Sequence, residues 1–331
     1  MSLKVLKAGI LDTIQDMGRF GFQQFGINPT GVMDKYAASI ANALVGNLFA
    51  EAVIEMHFPA PVFLFDQPAI VALAGADFSA SVNGEPVPVY QPLVINKSSV
   101  LQFHSVKNKA RCYLAVKGGF KINKWLNSYS TNLKAEAGGI NGTKLNKDDS
   151  IQLNDSSDLS KIPGADDFKI LPWKANESWD DAETKEILVL PGNEWDWLDA
   201  ASQKKFLSVD FYITNNSDRM GYRLKGDALK TKTKKELVSS AVFFGTIQLL
   251  PDGQLIILMA DHQTTGGYPR PGYVISAHLS RLAQMKAGDK IRFAFTTQKN
   301  AEEIFIKQQQ HLLQLQNACN FRLQNYIHEN N

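Results

Sequence analysis

Short apolar runs, broken by turn residues about every ten positions, fill the stretch from Ala52 to Leu153 and set the strongest limit on the fold of this chain. Such runs are too short for helices of several turns, and they suit strands buried in a sheet. Asn83-Gly84 marks a hairpin between two of them, because a two-residue type I′ turn needs positive φ at both positions. Lys117-Gly118-Gly119-Phe120 follows the strand expected over Cys112–Val116. The pattern resumes at Glu186. Ile187–Leu190 ends at Pro191-Gly192, Ser208–Thr214 reads as a further strand, Gly245–Ala260 reads as two strands joined at Asp252-Gly253, and Lys290–Phe295 closes the series. Asn96–Phe103, Asn146–Leu153 and Lys286–Phe293 repeat one design, a polar turn followed by an alternating strand. The fold class expected is mainly β with a few helices, a β-rich α+β chain of two barrel-like or sandwich-like domains.

Helical spacing is confined to a few segments. Met33, Ala37, Ile40 and Leu44 share one face of a helix that Gly46-Asn47 stops. Asp34 falls in its first turn, where a negative charge meets the positive end of the helix dipole. Ser276 is the expected N-cap of a second helix that carries Ile275, Leu279 and Leu282 and ends at Gly288. Leu312, Leu315, Cys319, Leu323 and Tyr326 form a stripe on a C-terminal helix expected to dock on the body. At roughly 150 residues per domain, 331 residues allow two. The boundaries read from the sequence are an N-terminal β-rich domain over 1–153, a polar, acidic linker over 154–184, a C-terminal domain over 185–297 and a helical tail over 298–331. The segment up to about residue 45 is able to pack on the second domain rather than the first.

Composition removes several classes of function. Hydrophobic residues make up 44% and charged residues 21%, which fits a packed core rather than disorder. A net charge of +2 supplies no dense basic patch for nucleic acid or an anionic membrane. Cys112 and Cys319 lie far apart and suit free thiols in a reducing compartment rather than a disulfide scaffold. The N-terminus lacks a continuous apolar region and a cleavage site, and runs such as Ala69–Ala74 and Leu255–Ala260 fall short of a membrane span. A soluble, cytoplasmic protein with no nucleic-acid or membrane partner is expected.

Familiar catalytic signatures are absent. There is no phosphate-cradling glycine loop ending in Lys-Ser/Thr, no dinucleotide fingerprint and no G-x-S-x-G elbow. The six histidines show no metal-ligand spacing. Four loops instead concentrate Arg, Asp, Thr, Gln and Gly. They are Thr13–Gly21 with Arg19, Gly31–Asp34, Ser217–Gly226 with Asp218, Arg219, Tyr222 and Arg223, and Asp261–Arg270 with Gln263, Thr264, Thr265, Tyr268 and Arg270. Arginine presents a rigid fork of donors to a carboxylate. Threonine and glutamine read an amide or ureido edge, and aspartate orients an arginine or acts as a base. The candidate catalytic residues are Asp218, Arg219 and Arg270. Candidate substrate-binding residues are Arg19, Asp34, Tyr222, Arg223, Gln263, Thr264, Thr265 and Tyr268. For any single loop the plainer reading is an ion pair that pins it, or a tight turn with positive φ at Gly266-Gly267.

At these loops the sequence resembles a known family. The segments "TIQDMGRFGFQQFGINPTGVMDKYAASIANALVGN", "ADFSASVNGEPVP", "YLAVKGGF", "SDRMGYRLKG" and "GTIQLLPDGQLIILMADHQTTGGYPRPGYVISAHLSRLAQMKAGDKIRF" are similar to the biotin-dependent carboxyltransferase family. That family is also called allophanate hydrolase subunit two and includes the C subunits of bacterial 5-oxoprolinase, or KipA-like proteins. The resemblance covers roughly residues 5–295. It implies two cyclophilin-like β-barrel domains and a partner, the KipI-like B subunit of 5-oxoprolinase. With an A subunit of the lactam-utilisation type, it implies an ATP-dependent hydrolase that opens the lactam of 5-oxoproline to glutamate. ATP is then used by the complex, and no cofactor is bound covalently to this chain. Two alternatives follow from the same resemblance. One is a carboxyltransferase component acting with biotin on urea or a similar amide. The other is a non-catalytic KipA-like regulator that binds a KipI-like kinase inhibitor. Met285-Lys286, before Ala-Gly-Asp at a helix end, is a poor site for biotin attachment. The chain departs from the family at Tyr129 and Thr143, where relatives usually carry arginine.

Overall fold

A computed structural model of the chain describes residues 2–154, 167–176, 185–233 and 236–329. Most of the linker expected over 154–184 lies outside the described residues. The chain divides into two compact units. The first comprises Met1–Arg19, Asp34–Trp179 and Gln309–Asn331, and the second comprises Phe20–Met33 and Asp180–Gln308.

The first unit holds two six-stranded sheets around one core. One sheet runs in the order Ser150–Gln152, Ser2–Lys7, Val62–Phe65, Val100–Phe103, Ala80–Val82, Glu85–Pro86. The other runs Phe168–Ile170, Pro92–Ile95, Ala69–Gly75, Cys112–Val116, Val53–Met56, Thr13–Gln15. In the first sheet Leu3, Val5, Phe63 and Phe65 point inward while their neighbours keep contact with water, the period of two that a half-buried strand requires. Strands Ala69–Gly75 and Cys112–Val116 of the second sheet are buried at every position, because helix α1 (Lys35–Leu44) covers their other face. The run of alanines along α1 suits that close packing. Asp34 is the N-cap of α1 rather than a residue of its first turn, and its carboxylate accepts from Ala37 N at 2.9 Å. Gly46 ends the turn at φ 74°, and a Cβ there would lie 2.7 Å from Leu323.

The second unit is built on an eight-stranded sheet. Its order is Lys290–Ile291, Phe211–Ile213, Gly221–Lys225, Leu255–Leu258, Thr246–Leu249, Gly272–Val274, Ile187–Pro191, Phe293–Phe295. The two edge strands are consecutive in the chain, separated only by Arg292, so the sheet curls into a nearly closed barrel. Phe206 stacks on Phe293 inside it, with ring centroids 4.8 Å apart. The expected strand over Ser208–Thr214 begins only at Phe211. Before it stands helix α2 (Ala200–Ser208), capped by Asp199, whose carboxylate accepts from Ser202 N at 2.7 Å. Ser276 is not the N-cap of the helix behind it. It opens a single 3-10 turn, and α3 (Leu279–Ala283) starts without any side-chain cap. The fold is thus mainly β with four helices among the described residues, the last being α4 (Gln298–Glu329). Leu312, Cys319, Leu323 and Tyr326 on α4 are buried, Leu315 is half-buried, and the Tyr326 ring meets Trp173 edge-on at 6.1 Å. No helix among the described residues is long and apolar enough to cross a membrane.

Candidate functional site

Strand parity in the second unit separates two neighbours in the "SDRMGYRLKG" segment. Tyr222 pairs with Ile257, and Ile257 with Ile247, so all three point into the barrel core. The Tyr222 hydroxyl donates to Met285 O at 3.2 Å, and its ring is a core group rather than a wall of a cleft. Arg223 pairs with Ile256, and Ile256 with Gln248, so these three form a row on the outer face. That row floors a cleft of about 530 Å³, lined also by Asp218, Gln263 and Tyr268. Polar and aromatic side chains therefore converge there; Asp218, Arg223, Gln263 and Tyr268 are expected from the sequence, while Asn216, Gln248 and Asp252 are not. A more apolar cleft lined by Trp197, Leu229 and Leu249 shares Leu250, Pro251 and Tyr268 with it, so Tyr268 stands between the two.

Gln248 is the buried one of the residues that sequence reasoning missed. It is 1% exposed, in the fully buried strand Thr246–Leu249. Its Oε1 accepts from Gln263 Nε2 at 3.3 Å, and its Nε2 has no hydrogen-bond partner among the described residues. The signal available in the sequence was one amide inside the apolar run Ile247–Leu250. Gly266 explains how that amide fits. A Cβ on Gly266 would lie 2.3 Å from Gln248 Nε2. The positive φ expected at Gly266-Gly267 is not found, since neither is among the described glycines with that backbone. Gly266 is required for close approach, not for a left-handed turn. Asp218 closes the turn before the strand, its Oδ1 accepting from Met220 N at 2.7 Å and Gly221 N at 3.2 Å. Thr264 contributes its carbonyl to Val242 N, and Thr265 is an exposed residue of the two-stranded sheet with Ser240–Ala241.

The two other arginines of these loops are committed to carboxylates. Arg219 is 5% exposed, donates from Nε and Nη2 to the two oxygens of Asp261 at 2.9 and 3.0 Å, and also reaches Gly31 O at 2.6 Å. It ties the Asp218 turn to the Asp261 loop and to the Gly31 segment. Its ion-pair partner is Asp261 rather than the adjacent Asp218. Arg270 binds Glu194 through Nε and Nη2, both at 2.8 Å, and Ser240 Oγ through Nη1 at 2.8 Å. Burial pushes the Glu194 carboxyl upward, but the hydrogen bonds from Arg270 outweigh it and hold the pKa below the usual value. Neither arginine lines the 530 Å³ cleft; both position the loops that do.

Arg19 and Asp34 are held in the first unit. Arg19 is 1% exposed, lies 4.5 Å from the Trp125 ring centroid and donates to Ser130 O. Next to it the Asp16 carboxylate accepts from Ser128 Oγ, Ser130 Oγ, Tyr129 N and Gly18 N. Tyr129 has Lys124 Nζ 4.8 Å from its ring centroid, and Thr143 is exposed. Lys124, Trp125 and Glu136 border an open cleft of about 760 Å³. Asp34 caps α1, and its N–H donates to the hydroxyl of Tyr113, which in turn donates to Glu55. Burial and the Glu55 charge push the Tyr113 hydroxyl well above its ordinary pKa, so it stays a neutral donor. Among the described residues no group of three or more His, Cys, Asp and Glu side chains is arranged to hold a metal ion.

The chain and its fold have counterparts among known proteins. The family model for the carboxyltransferase domain, subdomain A and B, matches residues 25–295. The C subunit of the Haemophilus influenzae 5-oxoprolinase is 36% identical over 303 residues, covering 92% of this chain and 94% of that protein. The protein of the same name from Escherichia coli is 35% identical over 95% of this chain and 97% of its own length. The crystal structure of the K. lactis urea amidolyase superposes with a TM-score of 0.86 at 25% identity, over 95% of this chain. This chain spans only 20% of that larger one.

Proposed function

This chain belongs to the carboxyltransferase-domain family, and from that membership we propose that it is the C subunit of a 5-oxoprolinase. The carrying observation is near-complete mutual coverage with proteins of that name at 35–36% identity. The reaction proposed is ATP-dependent opening of the lactam of 5-oxoproline to glutamate. A KipI-like B subunit and a lactam-utilisation-type A subunit complete the assembly and handle ATP. The outer-face cleft supports this assignment chemically. Arg223 supplies a cation for the ligand carboxylate, Gln248 and Gln263 supply amide groups for the lactam edge, and Tyr268 supplies an apolar wall. Asp218 is the acidic group at the rim, and Arg219 and Arg270 act through the loops they anchor. The test is reconstitution. This chain alone should leave 5-oxoproline intact, and the three subunits together should hydrolyse it only with ATP. Full turnover by this chain alone contradicts the division of labour.

A second reading has its own support in the likeness to the urea amidolyase structure. In it the same cleft takes part in carboxyl transfer from biotin to an amide. Loss of activity of the assembled complex on adding avidin would favour it, and avidin-insensitive turnover would exclude it.

A further inference from the structure

Buried polar groups in native proteins are almost always hydrogen-bonded, and an unpaired buried donor is destabilising. Gln248 Nε2 is such a donor, on a side chain that is 1% exposed and lines the outer-face cleft. Gln263 Nε2 donates to Gln248 Oε1 at 3.3 Å, which leaves Gln248 Nε2 as the unpaired end of the amide. Space for it exists because Gly266 has no side chain, although the backbone there does not require glycine. We infer that Gln248 Nε2 donates to the carbonyl oxygen of a neutral amide-type ligand, a lactam, imide or ureido group, and determines specificity for it.

The neighbours fit that ligand class. Arg223 and Gln248 flank Ile256 on adjacent strands, which places their Cα atoms about 10 Å apart, two strand spacings. Side chains from those positions can meet opposite ends of a small molecule. An Nε2 donor calls for an acceptor, and a carbonyl oxygen held in a poorly solvated site gains more from it than from water. The Asp218 carboxylate on the rim offers an acceptor for the N–H of the same amide. A ring amine without a carbonyl would leave the Gln248 donor as it is in the free protein and gain nothing from it.

The inference rests on the cleft being the ligand site proposed above, but its test does not need turnover. The full-length chain is titrated with 2-pyrrolidone, 5-oxoproline and pyrrolidine, with binding followed by ligand-observed NMR and calorimetry. The two carbonyl compounds should bind and pyrrolidine should not. Gln248→Met keeps the volume and removes the donor. It should weaken 2-pyrrolidone binding at least tenfold while the melting temperature stays at or above that of the parent. Gly266→Ala should give a similar loss, because its methyl group displaces the amide. Failure of 2-pyrrolidone to bind the parent chain overturns the inference, as does undiminished binding by Gln248→Met. A Gln248→Met chain that melts lower or fails to fold assigns the amide a structural role and overturns it too. If 2-pyrrolidone binding depends on Gln248 but the assembled subunits do not turn over 5-oxoproline, the lactamase reading falls and the inference stands. Normal turnover in a complex carrying Gln248→Met has the opposite meaning.

Discussion

Arg219 and Arg270 differ from Arg223 in everything except their chemistry. The first two are buried in bidentate pairs with Asp261 and Glu194, while Arg223 is exposed on the barrel's outer face and makes no ion pair among the described residues. The contrast teaches that the place of an arginine in the fold, buried loop or outward strand position, decides whether it anchors the structure or faces a cleft. Asp12 extends the comparison to carboxylates. Both carboxylates are buried, but Asp12 lies deeper and has only the Lys144 charge rather than a bonded arginine near it, so burial raises its pKa to about 7 while Arg270 holds Glu194 low.

Removing the most enclosed pair should have the largest effect. Arg270→Ala leaves the Glu194 carboxylate buried without its partner and should cost about 3–5 kcal/mol in denaturant unfolding. Arg270→Lys should recover little, because a point charge cannot replace the two-pronged contact. Replacing both residues with methionine should recover most of the loss, and a double variant as unstable as Arg270→Ala would break the comparison. The pair also predicts acid sensitivity. Glu194 is depressed, so its contribution is complete above the unfolded carboxylate range and is lost as pH falls through its lower folded value.

Arg219→Ala should cost less, about 2–3 kcal/mol, because the Asp261 side chain is 17% exposed and can recruit water. Loosening of the Gly31 segment, read as faster amide exchange over Phe20–Met33, should accompany it.

Asp12 sharpens the contrast with the opposite sign. Its Oδ2 accepts from Gly9 N at 2.8 Å, but this bond, the His57 backbone and the Lys144 charge favour the ionised form too weakly to offset burial. The folded state holds its proton more tightly than the unfolded state. Its contribution is therefore complete below the unfolded value and is lost as pH rises through about 7. Asp12→Asn should flatten that loss and gain about 1–2 kcal/mol at pH 8, less than the full shift because the amide buries two new donors. Parallel pH profiles of the two proteins would show that Asp12 does not titrate there.

Much of the β framework was legible because turns carry local chemistry. The three repeated segments place Ser98, Asp148 and Gly288 at the same turn position, each with positive φ, and close each turn with an equivalent backbone bond. Asn83 and Gly84 likewise take positive φ in the expected hairpin. Helix α2 was missed because "AASQKKFLS" buries only Ser202 and Phe206, too few apolar positions to show a helical period. At the candidate site, residue types were legible and partners were not. Asp261 lies 42 positions from Arg219 and Glu194 lies 76 from Arg270, and nothing local announces pairs at such separations. The alternation that sends Tyr222 inward and Arg223 outward is a period-two signal, but its sign depends on which face the sheet buries.

Arg223→Ala should have the smallest effect on stability and a clear effect on function. The side chain is exposed and anchors no loop, so unfolding free energy should move by less than about 0.5 kcal/mol. A charge-assisted bond to a ligand carboxylate is worth about 1.5–3 kcal/mol, which is roughly 10–150-fold in affinity. In the reconstituted complex KM for 5-oxoproline should rise by about that factor with kcat little changed, as expected for a contact made equally in ground and transition states. Binding of 2-pyrrolidone, which has no carboxylate, should be unaffected by the same substitution. This split separates Arg223 from Arg219 and Arg270, whose loss should lower stability and weaken both ligands together. An Arg223→Ala chain that loses 2-pyrrolidone as well would put Arg223 with the structural arginines and remove the distinction between the outer face and the buried anchors.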